Sequence, residues 1–206
     1  MGVRGHSFMA DRVRVQLLEG RIAVTDPAST WASLGELSVD QLVIAGDYFV
    51  RKYRQGVGRR DAGRQPLCRL DELAAALSRG RWDGMPGLRR ALPLIREDSW
   101  SPQETATRVA LVRAGLPEPD LNRDVFDARG SFLGCLDLVW PRWKVAVEYH
   151  GQQHANTYAS DIERVERLRA AGWVVIQVTR VLASRPSELT ARVAQALDSR
   201  GWRPAA

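Results

Sequence analysis

The chain has 206 residues and a mass of 23.0 kDa, with 45% hydrophobic, 26% charged and 7% aromatic residues. That is the composition of a globular protein with one full core or two small ones, and it excludes a disordered chain, a collagen-like repeat and a disulfide scaffold. The formal net charge is +6, from 28 Arg and two Lys (Lys52 and Lys144) against 24 acidic residues.

The excess charge is local. Residues 51–69 hold seven basic residues, Arg51, Lys52, Arg54, Arg59, Arg60, Arg64 and Arg69, against Asp61 alone, and the rest of the chain balances at 23 of each sign. A basic segment of this density is the footprint expected for DNA, with Arg59, Arg60 and Arg64 as candidate contacts. Cys68 and Cys135 are too few and too far apart for a disulfide framework or a zinc site. The N-terminus has no apolar signal core, and no apolar run approaches the roughly 18 residues that a membrane span needs. A cytoplasmic protein without membrane contact is expected.

In chain order, Val13, Val15 and Leu17 alternate with polar residues, and Ile22-Ala23-Val24 follows Gly20, so the first 25 residues predict strands and a turn. Thr25-Asp26-Pro27 predicts a helix start, with Trp31, Leu34 and Leu37 on its apolar face. Ser38-Val39-Asp40-Gln41 is a capping box for a second helix. Residues 54–66, rich in Gly and Arg, predict a loop. Two further helices are expected around Leu70–Leu77 and Pro86–Arg96, giving a mostly helical region over residues 1–98 that carries no catalytic motif.

From Ser99 the pattern changes. Ser101-Pro102-Gln103-Glu104 opens a helix that runs to Gly115, with Val109, Leu111 and Val112 as its apolar residues. Three strands are expected next, Leu121–Phe126, Phe132–Trp140 and Trp143–Tyr149, joined by turns short enough for antiparallel pairing. A helix from Ser160 to Ala171, closed by Gly172, leads into Trp173–Val178, a near-continuous apolar run that predicts a strand buried on both faces. A last helix spans about Ser187–Ser199. Residues 99–206 thus predict an α/β domain with a mixed sheet.

Metal-assisted phosphodiester hydrolysis needs carboxylates converging on Mg²⁺, and strands place such groups rigidly. Asp137 interrupts the apolar run Leu136–Trp140, and Glu148 lies near the end of Val145–Tyr149. The alternative is a pair of salt-bridged acids on the polar face of the sheet. His150 and His154, two of the three histidines, follow directly and suit proton transfer or phosphate contact, unless they are ordinary surface residues. Glu104 can complete a metal shell, but capping its own helix also explains it. Arg164, three residues after Asp161 on one helix face, forms a solvated ion pair or meets DNA phosphate.

The strings Ser101-Pro102-Gln103-Glu104-Thr105, Arg113-Ala114-Gly115-Leu116-Pro117, Leu136-Asp137-Leu138, Val147-Glu148-Tyr149-His150-Gly151-Gln152-Gln153-His154, Asp161-Ile162-Glu163-Arg164 and Ala171-Gly172-Trp173-Val174-Val175 together resemble an endonuclease-like domain family. That family is related to the very-short-patch repair endonucleases, within the restriction-endonuclease-like PD-(D/E)XK fold. The resemblance covers roughly residues 99–199. It implies a Mg²⁺- or Mn²⁺-dependent DNA endonuclease or nickase in which Asp137 and Glu148 bind metal with the backbone carbonyl of Tyr149. Glu104 would be the helix acid, and His150 or His154 would handle protons.

The fold's usual lysine, two residues after the second acid, is replaced by His150, and Lys144 sits four residues too early for the motif. An inactive nuclease-fold module that binds DNA or regulates, in a toxin–antitoxin or defence setting, is therefore the alternative expectation. Asp26–Trp31 and Ala45-Gly46-Asp47 resemble the helical region that precedes this domain in actinobacterial-type members. Those members often begin with a winged-helix segment, which nothing before about residue 10 can encode here.

Overall fold

Asp26 turns the chain from strand to helix: its Oδ1 accepts the Ser29 N–H at 2.6 Å, with Pro27 at the first helical position. The structure, a computed structural model, describes residues 11–59, 61–149 and 158–204. Between Glu97 and Asp98 the chain divides into two compact units.

In the first unit, β1 (Val15–Leu18) and β2 (Ile22–Thr25) pair as an antiparallel hairpin that leads into α1 (Pro27–Ala32). The helix is shorter than the sequence predicts: it ends at Ala32, so Trp31 is buried while Leu37 is exposed. Helix α2 (Val39–Val50) carries the predicted capping box with both reciprocal bonds formed, and α3 spans Leu70–Ser78. The fourth helix, α4 (Met85–Ala91), does not reach Arg96. Leu92–Leu94 tightens to a 3₁₀ turn where Pro93 removes a backbone donor. Trp31, Leu42, Leu73 and Leu88 are fully buried, and the Trp31 indole N–H donates to the Leu42 carbonyl at 2.9 Å. Residues 61–66 are turn and coil, as expected for the Gly/Arg-rich segment.

The second unit is mixed α/β. Helix α5 (Pro102–Arg113) precedes strands β3 (Asp120–Phe126), β4 (Phe132–Trp140) and β5 (Val145–Tyr149), followed by α6 (Tyr158–Ala170), β6 (Val174–Val178), a short α7 (Arg180–Ala183) and α8 (Pro186–Ser199). The sheet order is β3-β4-β5-β6, antiparallel except for the parallel pair β5 and β6. One core cluster joins Leu138 and Val147 to Leu111 of α5 and to Val193 and Leu197 of α8. The other joins Val139 and Ala146 to Leu168 of α6. Helices therefore cover both faces of the sheet, as in the layered α/β architectures.

Two expectations are corrected. The run Trp173–Val178 is not buried on both faces: β6 is an edge strand, Val174 to Ile176 are only half-buried and Gln177 is exposed. Residues 141–143 form a 3₁₀ turn, so β5 starts at Val145 rather than at Trp143. Among the described residues no helix is long and apolar enough to cross a membrane.

Candidate functional site

The strand alternation changes phase in the middle of β3 and β4. Leu121 pairs with Leu138 and Arg123 with Leu136, so Asn122 and Asp137 stand across from each other between these pairs. Asn122 takes a left-handed backbone, φ 47°, which Asn tolerates better than most residues. Leu136 and Leu138, two residues apart, consequently pack into different core clusters.

On the other side of β4, Leu138 pairs with Val147, which sets Asp137 opposite Glu148 one residue further along. Asn122, Asp137 and Glu148 thus occupy one line across three neighbouring strands, and the two carboxylates predicted from sequence are brought together.

Asp137 Oδ2 accepts the backbone N–H of Tyr149 at 2.7 Å. Burial pushes its carboxyl up to about 7 against that hydrogen bond, and the nearby charges of Glu104 and Glu148 push the same way, partly offset by Arg164. Glu104 and Glu148 therefore both lie within electrostatic reach of Asp137. Near neutral pH, Asp137 is poised between its protonated and charged forms.

Glu148 is 7% exposed. Its Oε1 accepts Arg164 Nη1 at 2.6 Å, while its Oε2 is buried and has no hydrogen-bond partner among the described residues. Leaving an oxygen of a buried carboxylate unsatisfied costs about 1–3 kcal/mol or more. Arg164 comes from α6 and passes over Gly134 of β4, where a Cβ would lie 3.3 Å from Nη1. Its Nε lies 3.9 Å from Asp161, and although burial disfavours its charge, the bond to Glu148 and the surrounding acids hold its pKa up.

Glu104 sits on α5, a helix that turns an unusually polar face inward: Glu104, Thr105, Thr107 and Arg108 are all buried. Ser101 caps the helix by accepting the Glu104 N–H at 3.2 Å. The return bond of the predicted box is displaced, because Glu104 Oε2 accepts the N–H of Trp100 (2.8 Å) rather than that of Ser101. The same oxygen accepts Asn122 Nδ2 at 2.6 Å, and that amide also donates to the Asp98 carbonyl at 2.7 Å. Asn122 therefore ties the start of the unit, helix α5 and the strand line together.

Sequence reasoning missed Asn122, because β3 also carries Asp120, Arg123 and Asp124 and one more polar residue does not stand out there. It also missed Thr107, whose hydroxyl lies 2.6 Å from the Tyr149 hydroxyl and links α5 to β5.

The other candidates fall elsewhere. His150, His154 and Arg60 lie outside the described residues. Arg59 and Arg64 belong to the first unit, where Arg59 donates to the Gln55 carbonyl and Arg64 stacks 5.2 Å from the Tyr53 ring centre, with Arg51 at 4.7 Å. Lys144 Nζ donates to the Ala171 carbonyl at 2.9 Å, so it serves the end of α6.

Asp137, Glu148 and the Tyr149 carbonyl are all hard oxygen donors. Among the described residues no three acidic, imidazole or thiol side chains form a metal-holding group by themselves.

The chain is similar to uncharacterised proteins of Mycobacterium tuberculosis from strains CDC 1551 and H37Rv, each 28% identical over 192 residues, which is 90% of this chain and 65% of the relative. It thus spans just under two thirds of the length of the curated relatives it matches. No family model and no solved structure matches the chain.

Proposed function

We propose that the second unit is a restriction-endonuclease-like module and that the protein is a cytoplasmic, metal-dependent DNA endonuclease or nickase. The observation that carries this reading is the unpartnered, buried Oε2 of Glu148 beside Asp137. Asp137 and Glu148 would hold a divalent cation, whose charge would favour the ionised form of Asp137, and the hard-oxygen donor set fits Mg²⁺ or Mn²⁺. Such an ion supplies Lewis acidity toward a phosphodiester and an attacking water.

The protein's own groups do the positioning. Tyr149 N–H fixes one oxygen of Asp137, and Arg164 fixes one oxygen of Glu148 and so aims the other. Trp100 and Asn122 hold Glu104 near Asp137, where it adds negative charge. Arg164 offers further N–H donors to a phosphate oxygen. His150 or His154, next in the chain after β5, takes the proton-handling role, with His150 in the place of the usual lysine.

The test is incubation of the purified protein with supercoiled plasmid and Mg²⁺ or Mn²⁺. Nicked or linear product is expected, and it should disappear in Asp137→Ala and Glu148→Ala. Cleavage that persists in Asp137→Ala overturns the site assignment.

The ion pair between Arg164 and Glu148 favours a second reading, an inactive nuclease-fold module that binds DNA or regulates. A guanidinium already balances one of the two carboxylates, as a cation would. DNA binding that is salt-sensitive but needs no metal, with no measurable Mn²⁺ affinity, selects this reading over the first.

A further inference from the structure

The first unit carries a second cluster of charge, distinct from the basic loop. At the end of α3 and along α4, a pocket of about 830 Å³ is lined by Gly80, Arg81, Met85, Pro86, Arg89 and Arg90. Arg12 joins it from far away in sequence. Its Nη1 donates to the Arg81 carbonyl at 2.7 Å, and its side chain lies against Gly80, where a Cβ would come within 3.0 Å of its Nε.

Three other cations of this unit are committed. Lys52 pairs with Glu97, Arg69 with Asp71, and Arg79 with Ser29 and more distantly with Asp26. Arg12, Arg81, Arg89 and Arg90 have no carboxylate partner among the described residues, and the last three are exposed. Four like charges around one depression repel one another, and a bound anion removes that cost.

We propose that this pocket binds the phosphate of a nucleotide unit, with the guanidiniums on the phosphate oxygens and Met85 and Pro86 against the sugar or base. Guanidinium forks match phosphate geometry, and a phosphate presents several oxygens and more than one charge to several forks at once. The apolar wall suits the organic part of a nucleotide better than a bare ion. The same recognition serves a free nucleotide and a nucleotide within a strand, and the probes below distinguish the two sources. The inference is independent of the nuclease reading, because it uses neither a metal nor any residue of the second unit.

The test is a titration of the full chain, followed by ¹H–¹⁵N amide spectra, with inorganic phosphate, adenosine 5′-monophosphate, a short oligothymidylate and a Glu-rich peptide. Phosphate-bearing probes should shift the Gly80 and Met85 amides, with the nucleotide binding more tightly than inorganic phosphate. The double variant Arg89→Gln/Arg90→Gln, at two exposed positions, should weaken nucleotide binding about tenfold or more. Tighter saturation by the oligothymidylate assigns the site to a strand, and equal saturation by the mononucleotide assigns it to free nucleotide. Absence of shifts with every phosphate probe, unchanged affinity in the double variant, or shifts with the peptide alone overturns the proposal.

Discussion

Arg164 Nη1 donates to Glu148 Oε1 at 2.6 Å, and the buried Oε2 of the same carboxylate has no partner among the described residues. Removing one member of a buried pair strands the other charge, although the 26% exposure of the Arg164 side chain lets water screen part of the loss. Arg164→Met is expected to destabilise the second unit by about 2 kcal/mol, and adding Glu148→Gln should recover most of it. Urea unfolding of the two single variants and the double variant checks this. Simple additivity of the single effects means that the two side chains are not coupled.

Asp137 gives a pH dependence with a definite sign. Burial pushes its carboxyl up to about 7 in the folded chain from the ordinary 3.8, so the folded state holds the proton more tightly than the unfolded state. The resulting stability is fully present below about pH 4, and it is lost as pH rises through 7. Asp137→Asn, which keeps an acceptor for Tyr149 N–H, should therefore raise stability at pH 8 by up to about 4 kcal/mol, with little effect near pH 4. Mn²⁺ should stabilise the parent protein at pH 8 and leave the Asn variant unchanged. Thermal melts at both pH values, with and without the ion, report all of this. A variant that is less stable than the parent at pH 8 contradicts the burial of this charge.

Asn122 combines a left-handed backbone with two side-chain bonds, to Glu104 and to Asp98. Asn122→Ala loses the bonds and adds backbone strain, and a cost of about 2–4 kcal/mol is expected. Asn122→Gly loses the same bonds without the strain and should be milder by about 1 kcal/mol. Equal urea midpoints for the two variants would remove the backbone part of the argument.

The basic loop is separable from the acid cluster. Arg59→Ala/Arg64→Ala should weaken binding to duplex DNA and lower the salt slope by about two, at roughly 0.9 per lost phosphate contact, while Mn²⁺ affinity stays the same. Anisotropy titrations across a salt series measure both quantities. An unchanged slope means that these arginines touch no phosphate.

Local chemistry was legible wherever the interacting groups are neighbours in the chain. Asp26 and Ser38 cap their helices as their sequence contexts predict, and the antiparallel order of β3, β4 and β5 follows from short turns. Asp137 and Glu148 were found because a carboxylate in an apolar strand is conspicuous. What the run Trp173–Val178 could not reveal is its place at the sheet edge, since apolarity reports burial in general and not which neighbour provides it.

The sequence by itself determined the elements, the mixed α/β character of the second half and two of its acids, because hydrogen-bond capping and hydrophobic period act over a few residues. Only the tertiary structure decided that Asn122 joins Glu104 to the strand line, that α5 buries a polar face, and that Arg164 takes one oxygen of Glu148 and leaves the other. It also decided the charge map: outside residues 51–69 the chain balances as a count, yet Arg12 reaches Arg81 across 69 positions and forms an arginine cluster that no linear tally contains. Electrostatic energy depends on distance in space, and packing alone sets those distances.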